Sequence, residues 1–169
     1  MYKNMPIYFT FFLMVLITAL PMNSNASIEN KSTHPDSYYA SLKTDEANVR
    51  TGPSVRYPIQ WVYKKPGWPI QITAKFENWR KIRDVHGEAG WINKNLINSK
   101  RNVLINTKGI QEVYRLPLIT SSVVFIAESG VIAELLSCKD NWCKISFATQ
   151  EGWVEAKHLW GVDDNETIK

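Results

Sequence analysis

The sequence predicts an all-β fold of two tandem small barrels, which follow a signal peptide that is removed. The first observation behind this prediction is an internal repeat, because glycine, tryptophan and β-branched residues recur at offsets of 63, 63, 62 and 63. Such regular spacing indicates a duplicated unit of about 55–63 residues. The second observation is that both copies consist of short segments between turn residues, without a convincing amphipathic helix. Closing such small sheets into barrels removes their exposed edges.

The N-terminal residues 1–26 have the layout of a secretory signal peptide. Lys3 precedes an apolar run of 14 residues at positions 7–20, and small or polar residues lead up to Ala26. This order predicts cleavage after Ala26 and an exported, periplasmic protein. A retained membrane anchor is the alternative, but a spanning helix needs roughly 18–20 apolar residues. We therefore expect no stable membrane span after cleavage, and a flexible lead at residues 27–37.

The remaining residues divide into two copies of the repeated unit. The first is expected at residues 38–99, the second at 108–162, with residues 99–107 joining them and a polar tail at 163–169. Strands of the first copy are predicted at 59–63, 70–76, 80–85 and 90–92. Those of the second copy are predicted at 123–127, 131–138, 142–147 and 152–154. Turn-prone residues such as Pro66-Gly67 and His86-Gly87 separate these segments.

Several motifs of the first copy resemble a known family. They are Asn48-Val49-Arg50-Thr51-Gly52-Pro53-Ser54, Tyr57-Pro58-Ile59 with Trp61-Val62-Tyr63, Asn78-Trp79-Arg80-Lys81-Ile82, and Gly90-Trp91-Ile92. Together they resemble bacterial SH3-like (SH3b) domains, and the closing Leu159-Trp160-Gly161-Val162 is similar to exported tandem SH3-like proteins of alphaproteobacteria. The resemblance covers residues 38–162. It implies two SH3-like barrels and a ligand in the cell envelope, such as peptidoglycan or a protein that acts on it.

The second copy departs from this family pattern at its opening. Val113-Tyr114-Arg115-Leu116-Pro117 replaces the opening motif of the first copy and lacks its glycine. We therefore expect the loop that follows to be shaped differently, and the resemblance leaves open whether the second barrel binds anything.

The two cysteines are predicted to form a disulfide bond. Cys138 and Cys143 flank a turn between two predicted antiparallel strands. This places them almost opposite each other, within reach of the ~5.5–6 Å Cα separation of a disulfide, and oxidation is expected in an exported protein. Because the loop is short, we expect less than the typical stabilisation of about 2–4 kcal/mol. A reactive thiol is the alternative, but neither a partner histidine nor a Cys-x-x-Cys spacing is evident.

No motif for catalysis, a metal or a cofactor is visible. His34, His86 and His158 are not spaced as metal ligands, and Asp84 and Glu88 are interpreted as ordinary turn residues. No Ser/His/Asp arrangement or nucleophile elbow occurs. Exported SH3-like domains often accompany cysteine-dependent peptidoglycan peptidases, but 169 residues leave no room for a catalytic domain beside two barrels. We expect a protein that is not an enzyme and holds no metal or cofactor.

Six of the seven tryptophans fall into two groups. One group recurs in both copies, as Trp79/Trp142 and Trp91/Trp153, which favours a packing role over ligand contact because small barrels have little core. Trp61 and Trp68 are particular to the first copy. With their neighbours they give the candidate ligand site Tyr57, Trp61, Tyr63, Trp68, Arg50, Arg56, Lys64 and Lys65. If exposed, this is an apolar platform rimmed by cations, suited to a peptide or a sugar ring; otherwise Trp68 covers a barrel end or the interface between the copies.

Charge is distributed unequally between the copies. Residues 43–101 contain 12 Lys and Arg against 5 Asp and Glu, whereas residues 102–169 contain 6 against 9. Either the opposite charges help the copies to dock, or the first copy has an anionic partner, such as an acidic peptide, lipid head groups or peptidoglycan carboxylates. The sequence leaves both interpretations open. A net charge of +4 is mild, and nucleic acid is not an expected partner of an exported protein.

The sequence therefore predicts an exported, non-catalytic binding module that recognises a cell-envelope ligand such as peptidoglycan. The alternative is a protein-interaction or scaffolding module that docks an extended peptide of an envelope protein. The oligomeric state is left open.

Overall fold

The computed structural model describes residues 37–163 and 166–169, and the strands of this part form two seven-stranded sheets. The predicted signal peptide, with its cleavage point after Ala26, lies outside the described residues, as does nearly all of the predicted lead. The described part contains no helix that is long and apolar enough to cross a membrane. Its helical structure is limited to 3₁₀ turns at Lys94–Leu96 and Ala156–His158.

Both sheets are built from short antiparallel strands. The first contains β1 (Tyr38–Leu42), β2 (Ala47–Arg50), β3 (Ile59–Tyr63), β4 (Pro69–Phe76), β5 (Trp79–Arg83), β6 (Ala89–Asn93) and β7 (Ile97–Asn98), in the order β3-β2-β6-β5-β4-β1-β7. The second contains β8 (Asn102–Ile105), β9 (Ile110–Tyr114), β10 (Val123–Glu128), β11 (Ile132–Lys139), β12 (Trp142–Phe147), β13 (Gln150–Glu155) and β14 (Leu159–Trp160), in the order β10-β9-β13-β12-β11-β8-β14. The two orders are identical once the strands are matched, which confirms the predicted all-β duplication.

The second barrel begins earlier than the sequence analysis placed it. Residues 102–105, which were assigned to the connection 99–107, form β8, which pairs with β11 and β14. This strand corresponds to β1, which pairs with β4 and β7. The repeat did not reveal it because Asn102–Ile105 contains none of the repeated glycines and tryptophans. The expected polar tail also takes part in the fold, since Ile168 forms a β-bridge with Cys138.

Each barrel has its own core, formed by the inward-facing residues of its strands. Completely buried aliphatic side chains lie at equivalent positions in the two barrels, among them Val49, Ile82 and Ile92 in the first and Val113, Ile145 and Val154 in the second. Alternate residues of the same strands are half-buried or exposed, as expected for sheets with one packed face.

The glycines of the repeated Gly-Trp pairs allow two strands to cross closely. A Cβ atom on Gly152 would lie 2.6 Å from Val113 Cγ1 and 2.9 Å from the carbonyl oxygen of Tyr114. A Cβ atom on Gly90 would collide in the same way with Val49. Any larger residue would therefore push β6 away from β2, or β13 away from β9, at the point where the barrel closes.

The loop that follows the opening strand has the same hydrogen-bond pattern in both barrels, so the expected difference in shape is wrong. In the first barrel, Thr51 N–H donates to Pro58 at 3.1 Å and Ser54 N–H to Gly52 at 2.9 Å. The second barrel repeats these bonds, from Arg115 to Ser122 at 2.9 Å and from Leu118 to Leu116 at 2.7 Å. The loop backbone therefore does not depend on the glycine.

Gly52 instead makes room for a side chain. A Cβ atom on Gly52 would lie 2.6 Å from the ring of Tyr57. In the second barrel Ser121 stands where Tyr57 would be, and its hydroxyl accepts a hydrogen bond from the backbone N–H of Leu116 at 3.1 Å. A residue larger than glycine is tolerated there because no aromatic ring packs on it.

The predicted disulfide is confirmed. Cys138 and Cys143 lie directly opposite each other in the ladder between β11 and β12 and are joined by an S–S bond. Both are buried and belong to the core of the second barrel.

Direct contacts join the two barrels within one compact unit. Asn102 donates from its backbone N–H to Ser41 Oγ and from its side-chain amide to the carbonyl oxygen of Gly67, each at 2.9 Å. The rings of Tyr39 and Trp160 meet edge to face with centroids 5.4 Å apart. Burial raises the pKa of Tyr39 to about 12. The barrels are therefore fixed to each other by specific contacts.

Candidate ligand-binding surface

Three aromatic side chains form a continuous strip on the first barrel. The rings of Trp61 and Tyr63 meet edge to face at 6.1 Å, and Tyr63 stacks on Trp68 at 6.2 Å with an angle of 26° between the rings. All three are half-buried and pack against the core of this barrel. Trp61 and Tyr63 lie on the inward face because they pair with the core residues Val49 and Ala47. We call Trp61, Tyr63 and Trp68 the aromatic strip.

A buried carboxylate holds the central ring of the aromatic strip. The hydroxyl of Tyr63 donates to Asp84 Oδ2 at 2.9 Å, while Asp84 Oδ1 accepts from the backbone N–H groups of His86 at 2.9 Å and Glu88 at 3.0 Å. Burial and this hydrogen bond raise the pKa of Tyr63 well above its usual range. In the sequence, Asp84 resembles an ordinary turn residue. Its contact with Tyr63 spans 21 positions and has no local signature.

Lysines border the aromatic strip where it meets the second barrel. Lys64 and Lys65 are exposed, and Lys65 Nζ lies 5.4 Å from the centroid of the Trp68 ring, within cation–π distance. Lys65 also lines an open cleft of about 550 Å³. The cleft lies between the barrels, and its other lining residues are Pro66, Gly67, Asn102, Gly130, Val131, Ile132, Ala133, Glu134 and Phe147. The cleft is mainly apolar, and Lys65 is the residue that it shares with the border of the aromatic strip.

The other predicted site residues lie elsewhere on the first barrel. Arg50 follows Val49 along β2 and so points to the opposite, outward face. Its Nη1 donates to the carbonyl oxygen of Tyr57 at 2.8 Å, which places Arg50 beside the loop that carries Tyr57 and Arg56. Arg56 and Tyr57 are exposed. The structure thus divides the eight predicted residues into the aromatic strip with its two lysines, and a group around Arg50.

The repeated tryptophans do not belong to the barrel cores in the described part of the chain. Trp91, Trp142 and Trp153 are half-buried, and only Trp79, 8% exposed, is buried. None of the four is part of either hydrophobic core cluster, whereas Trp61 and Trp68 pack against one. The burial of Trp79 agrees with the expected packing role, whereas the other three tryptophans are only partly covered.

The cations of the first barrel have no carboxylate partners among residues 37–163 and 166–169. The ion pairs formed by Lys100 with Glu134 at 2.7 Å and by Arg101 with Glu166 at 2.9 Å both start from the connection between the barrels. Both carboxylates belong to the second barrel or its C-terminal residues, so the docking role of opposite charges stays a prediction. Ten cations of the first barrel form no ion pair with a carboxylate of the described residues, although Arg80 and Arg83 bond to uncharged oxygens. They are Lys43, Arg50, Arg56, Lys64, Lys65, Lys75, Arg80, Lys81, Arg83 and Lys94.

The described residues offer no arrangement of three or more His, Cys, Asp or Glu side chains that could hold a metal ion. His158 lies 3.6 Å from Glu155, His86 is exposed, and His34 lies outside the described residues.

Comparison with known proteins identifies the fold. The sequence matches the bacterial SH3 domain family twice, at residues 43–98 and 107–161, which together are more than half of the chain. The chain belongs to the bacterial SH3 domain family. The resemblance that the first-copy motifs carry is therefore confirmed, and it extends to the second copy.

Relatives of these SH3 domains occur in larger proteins. The Bacillus subtilis (strain 168) protein YrvJ, which is named as an N-acetylmuramoyl-L-alanine amidase, is 27% identical over 130 residues. The match covers 71% of this chain and 25% of that protein. The solved structures of NlpC1 and NlpC2 from Trichomonas vaginalis are each 14% identical to this chain, with a TM-score of 0.35. The match with NlpC1 covers 75% of this chain and 46% of that protein, and the match with NlpC2 covers 76% and 51%. The chain thus spans a quarter to a half of the length of these proteins.

Paired bacterial SH3 domains and a disulfide bond are typical of exported cell-envelope proteins.

Proposed function

We propose that the protein is an exported, periplasmic binding module whose first SH3 domain recognises peptidoglycan. The signal peptide is removed after Ala26, no membrane span remains, and the partner is a cell-envelope polymer and not nucleic acid. The family, the disulfide and the similarity to a protein named as a cell-wall amidase support this setting.

The observation that carries the proposal is the aromatic strip with its adjacent lysines. Three half-buried rings in mutual contact present apolar area in an ordered arrangement, and Asp84 fixes the central ring through the Tyr63 hydroxyl. Ring faces of this kind suit the apolar surface of a sugar or a short peptide. Lys64 and Lys65 supply positive charge for carboxylates at the same edge.

We also propose that the protein acts by binding alone. The one hydroxyl–carboxylate pair at the aromatic strip, Tyr63 with Asp84, consists of a half-buried ring and a buried carboxylate that also accepts two backbone hydrogen bonds, an arrangement that favours a structural role over a catalytic one. Incubation with sacculi should release no soluble fragments.

Sedimentation with purified sacculi tests the proposed ligand. Wild-type protein is expected to co-sediment, and Trp61→Ala and Trp68→Ala each to lower the retained fraction by about tenfold, the equivalent of about 1.4 kcal/mol. Trp153→Ala, a half-buried tryptophan of the second barrel, is the matched control and should leave retention unchanged. Equal retention of all variants would contradict the site, and absence of wild-type retention would contradict the ligand.

A second candidate function rests on a different observation. β3 carries two of the three rings and lies at the end of its sheet order, paired only with β2 in the described structure. Its free edge can pair with an extended segment of an envelope protein, and the rings then provide side-chain contacts. Crosslinking in cells that yields one discrete protein partner, without sacculus binding, would favour this docking function.

A further inference from the structure

A tryptophan flanked by two cations lies on the outward face of the first barrel. Arg50 on β2 pairs with Trp91 on β6, and Trp91 pairs with Lys81 on β5. Paired residues of antiparallel strands have their side chains on the same face, about 4.5–5.5 Å apart at the Cβ atoms. Trp91 is half-buried and Lys81 is exposed. We call Arg50, Trp91 and Lys81 the outer row.

The second barrel contains the equivalent row in a neutralised form. Tyr114 pairs with Trp153, and Trp153 pairs with Lys144. Lys144 Nζ is bound to Glu151 at 2.6 Å, and the Tyr114 hydroxyl donates to Glu112 at 2.8 Å. The cation of this row therefore has a carboxylate partner, and no second cation is present.

One position explains the difference in pairing. Glu151 lies two residues before Trp153 on β13, diagonal to Lys144 and on the same face. The residue two positions before Trp91 on β6 is Ala89, which is exposed. Lys81 therefore has no diagonal carboxylate, and neither Lys81 nor Arg50 forms an ion pair within the described residues. Arg50 is held in place by its bond to the Tyr57 carbonyl oxygen at 2.8 Å, with its other donors left for a ligand.

We propose that the outer row is a second binding surface, which takes a carboxylated sugar ring of an acidic polysaccharide. The indole face accepts the apolar face of the sugar, and a carboxylate on that ring meets a cation on either side. Trp91 and Arg50 are half-buried and Lys81 is exposed, so the outer row lies at the surface, where a flat ring can lie against the indole. Two unpaired cations beside one tryptophan give the charge complementarity.

This surface is distinct from the aromatic strip. Trp61 and Tyr63 pair with the core residues Val49 and Ala47, whereas Arg50 and Trp91 point outward. The inference therefore does not depend on the proposed recognition of peptidoglycan, and each surface is tested with its own ligand.

Binding of polygalacturonate, a soluble polymer of carboxylated sugars, tests the inference. In affinity electrophoresis in 50 mM salt, polygalacturonate is expected to retard the wild-type protein, and neutral dextran is expected not to retard it. Lys81→Ala and Ala89→Glu should each weaken binding about threefold to tenfold, since the first removes the cation and the second supplies the carboxylate that the second barrel has. Trp91→Ala should weaken binding further, and Trp91→Phe should restore part of it.

Matched variants of the second barrel control for net charge and folding. Lys144→Ala removes one positive charge, Gln150→Glu adds one negative charge at an exposed position, and Trp153→Ala removes the equivalent indole. All three should bind polygalacturonate like the wild type. Trp61→Ala and Trp68→Ala should also bind it normally, which separates failure of this inference from failure of the proposed function.

The inference would be overturned by absence of wild-type binding, by equal retardation in dextran, by wild-type affinity of Ala89→Glu, or by an equal loss in Lys144→Ala.

Discussion

At the scale of single residues, the environment of a side chain and not its type decides its role. Asp84 looks like a turn residue in the sequence, yet it accepts hydrogen bonds from the Tyr63 hydroxyl and from two backbone N–H groups. It therefore connects the turn between β5 and β6 to the aromatic strip. Asp84 does not face the ligand in this account; it positions the ring that does.

Asp84→Ala should destabilise the protein and weaken its binding to sacculi. Three donors lose their acceptor, so we expect a loss of about 2–4 kcal/mol in the free energy of unfolding, measured by urea titration. Tyr63→Phe keeps the ring and loses only the hydroxyl, so it should cost about 1 kcal/mol and reduce retention less. Glu88→Ala, an exposed neighbour whose backbone bond is kept, is the control. Full sacculus retention by both Asp84→Ala and Tyr63→Phe would contradict the positioning role.

Sequence reasoning could identify the aromatic residues of the site but not their faces. Trp61, Tyr63 and Trp68 were predicted together, and the structure brings them together. Arg50 and Tyr57 were assigned to the same site as these rings because they are close to them in sequence. Successive residues of a strand point to opposite faces, however, so Arg50 points away from the aromatic strip. The register shift between Val49 and Arg50 also changes which β3 residues lie opposite them, and a bulge of this kind has no clear signature in a single sequence.

At the scale of elements, the sequence predicted the four central strands of each copy, which correspond to β3 to β6 and β10 to β13. It did not predict the short strands β1, β2 and β7 or their counterparts β8, β9 and β14, each of only two to five residues. The role of the loop glycine was also misread. Gly52 was interpreted as a requirement of the loop backbone. The second barrel has Leu116 at this position and forms the same loop hydrogen bonds, so the glycine is needed instead to make room for the ring of Tyr57.

A double-mutant cycle tests this explanation of the loop. Gly52→Ala should lower the free energy of unfolding by about 1–3 kcal/mol, because the new methyl group meets the Tyr57 ring. In a Tyr57→Ser background, which reproduces the serine of the second barrel, the same substitution should cost almost nothing. Urea unfolding of the four proteins gives the interaction free energy. An equal cost of Gly52→Ala in both backgrounds would show that the backbone, and not the ring, requires glycine.

At the scale of the whole molecule, Arg101 lies in the connection between the barrels and contacts residues on both sides of it. Arg101 binds the carboxylate of Glu166 through both terminal nitrogens, at 2.9 and 3.1 Å, and its guanidinium lies 5.6 Å from the centroid of the Tyr39 ring. Burial opposes ionisation of Glu166, but the bonds from Arg101 and from the backbone N–H of Asp163 outweigh it and lower the pKa. The sequence could not reveal this ion pair, because the two partners are 65 residues apart.

The Arg101–Glu166 pair should make the free energy of unfolding depend on pH. Folding lowers the pKa of Glu166 below its ordinary value of 4.5. The contribution of Glu166 to the free energy of unfolding is therefore complete above pH 4.5, and it is lost as the pH falls through the lower pKa of the folded state. Glu166→Gln should therefore cost about 1–3 kcal/mol at pH 7, and its difference from the wild type should shrink towards zero below pH 4.5. Urea unfolding from pH 7 to pH 3 measures this.

The exposed Lys144–Glu151 pair provides the control for that titration. Its side chains are 36% and 50% exposed, against 21% and 22% for the Arg101–Glu166 pair, so Glu151→Gln should change stability little at any pH. A difference between Glu166→Gln and the wild type that stays constant down to pH 3 would exclude an ionic contribution from Glu166.

The central claim is that the aromatic strip of the first barrel binds peptidoglycan, and the indole N–H signals of the seven tryptophans test it most directly. Soluble peptidoglycan fragments would be titrated into ¹⁵N-labelled protein, with the signals assigned by single tryptophan substitutions. The account predicts that the signals of Trp61 and Trp68 shift in a saturable manner, while those of Trp142 and Trp153 do not move. Shifts confined to the second barrel, or no shift of Trp61 and Trp68 at saturating ligand, would contradict it.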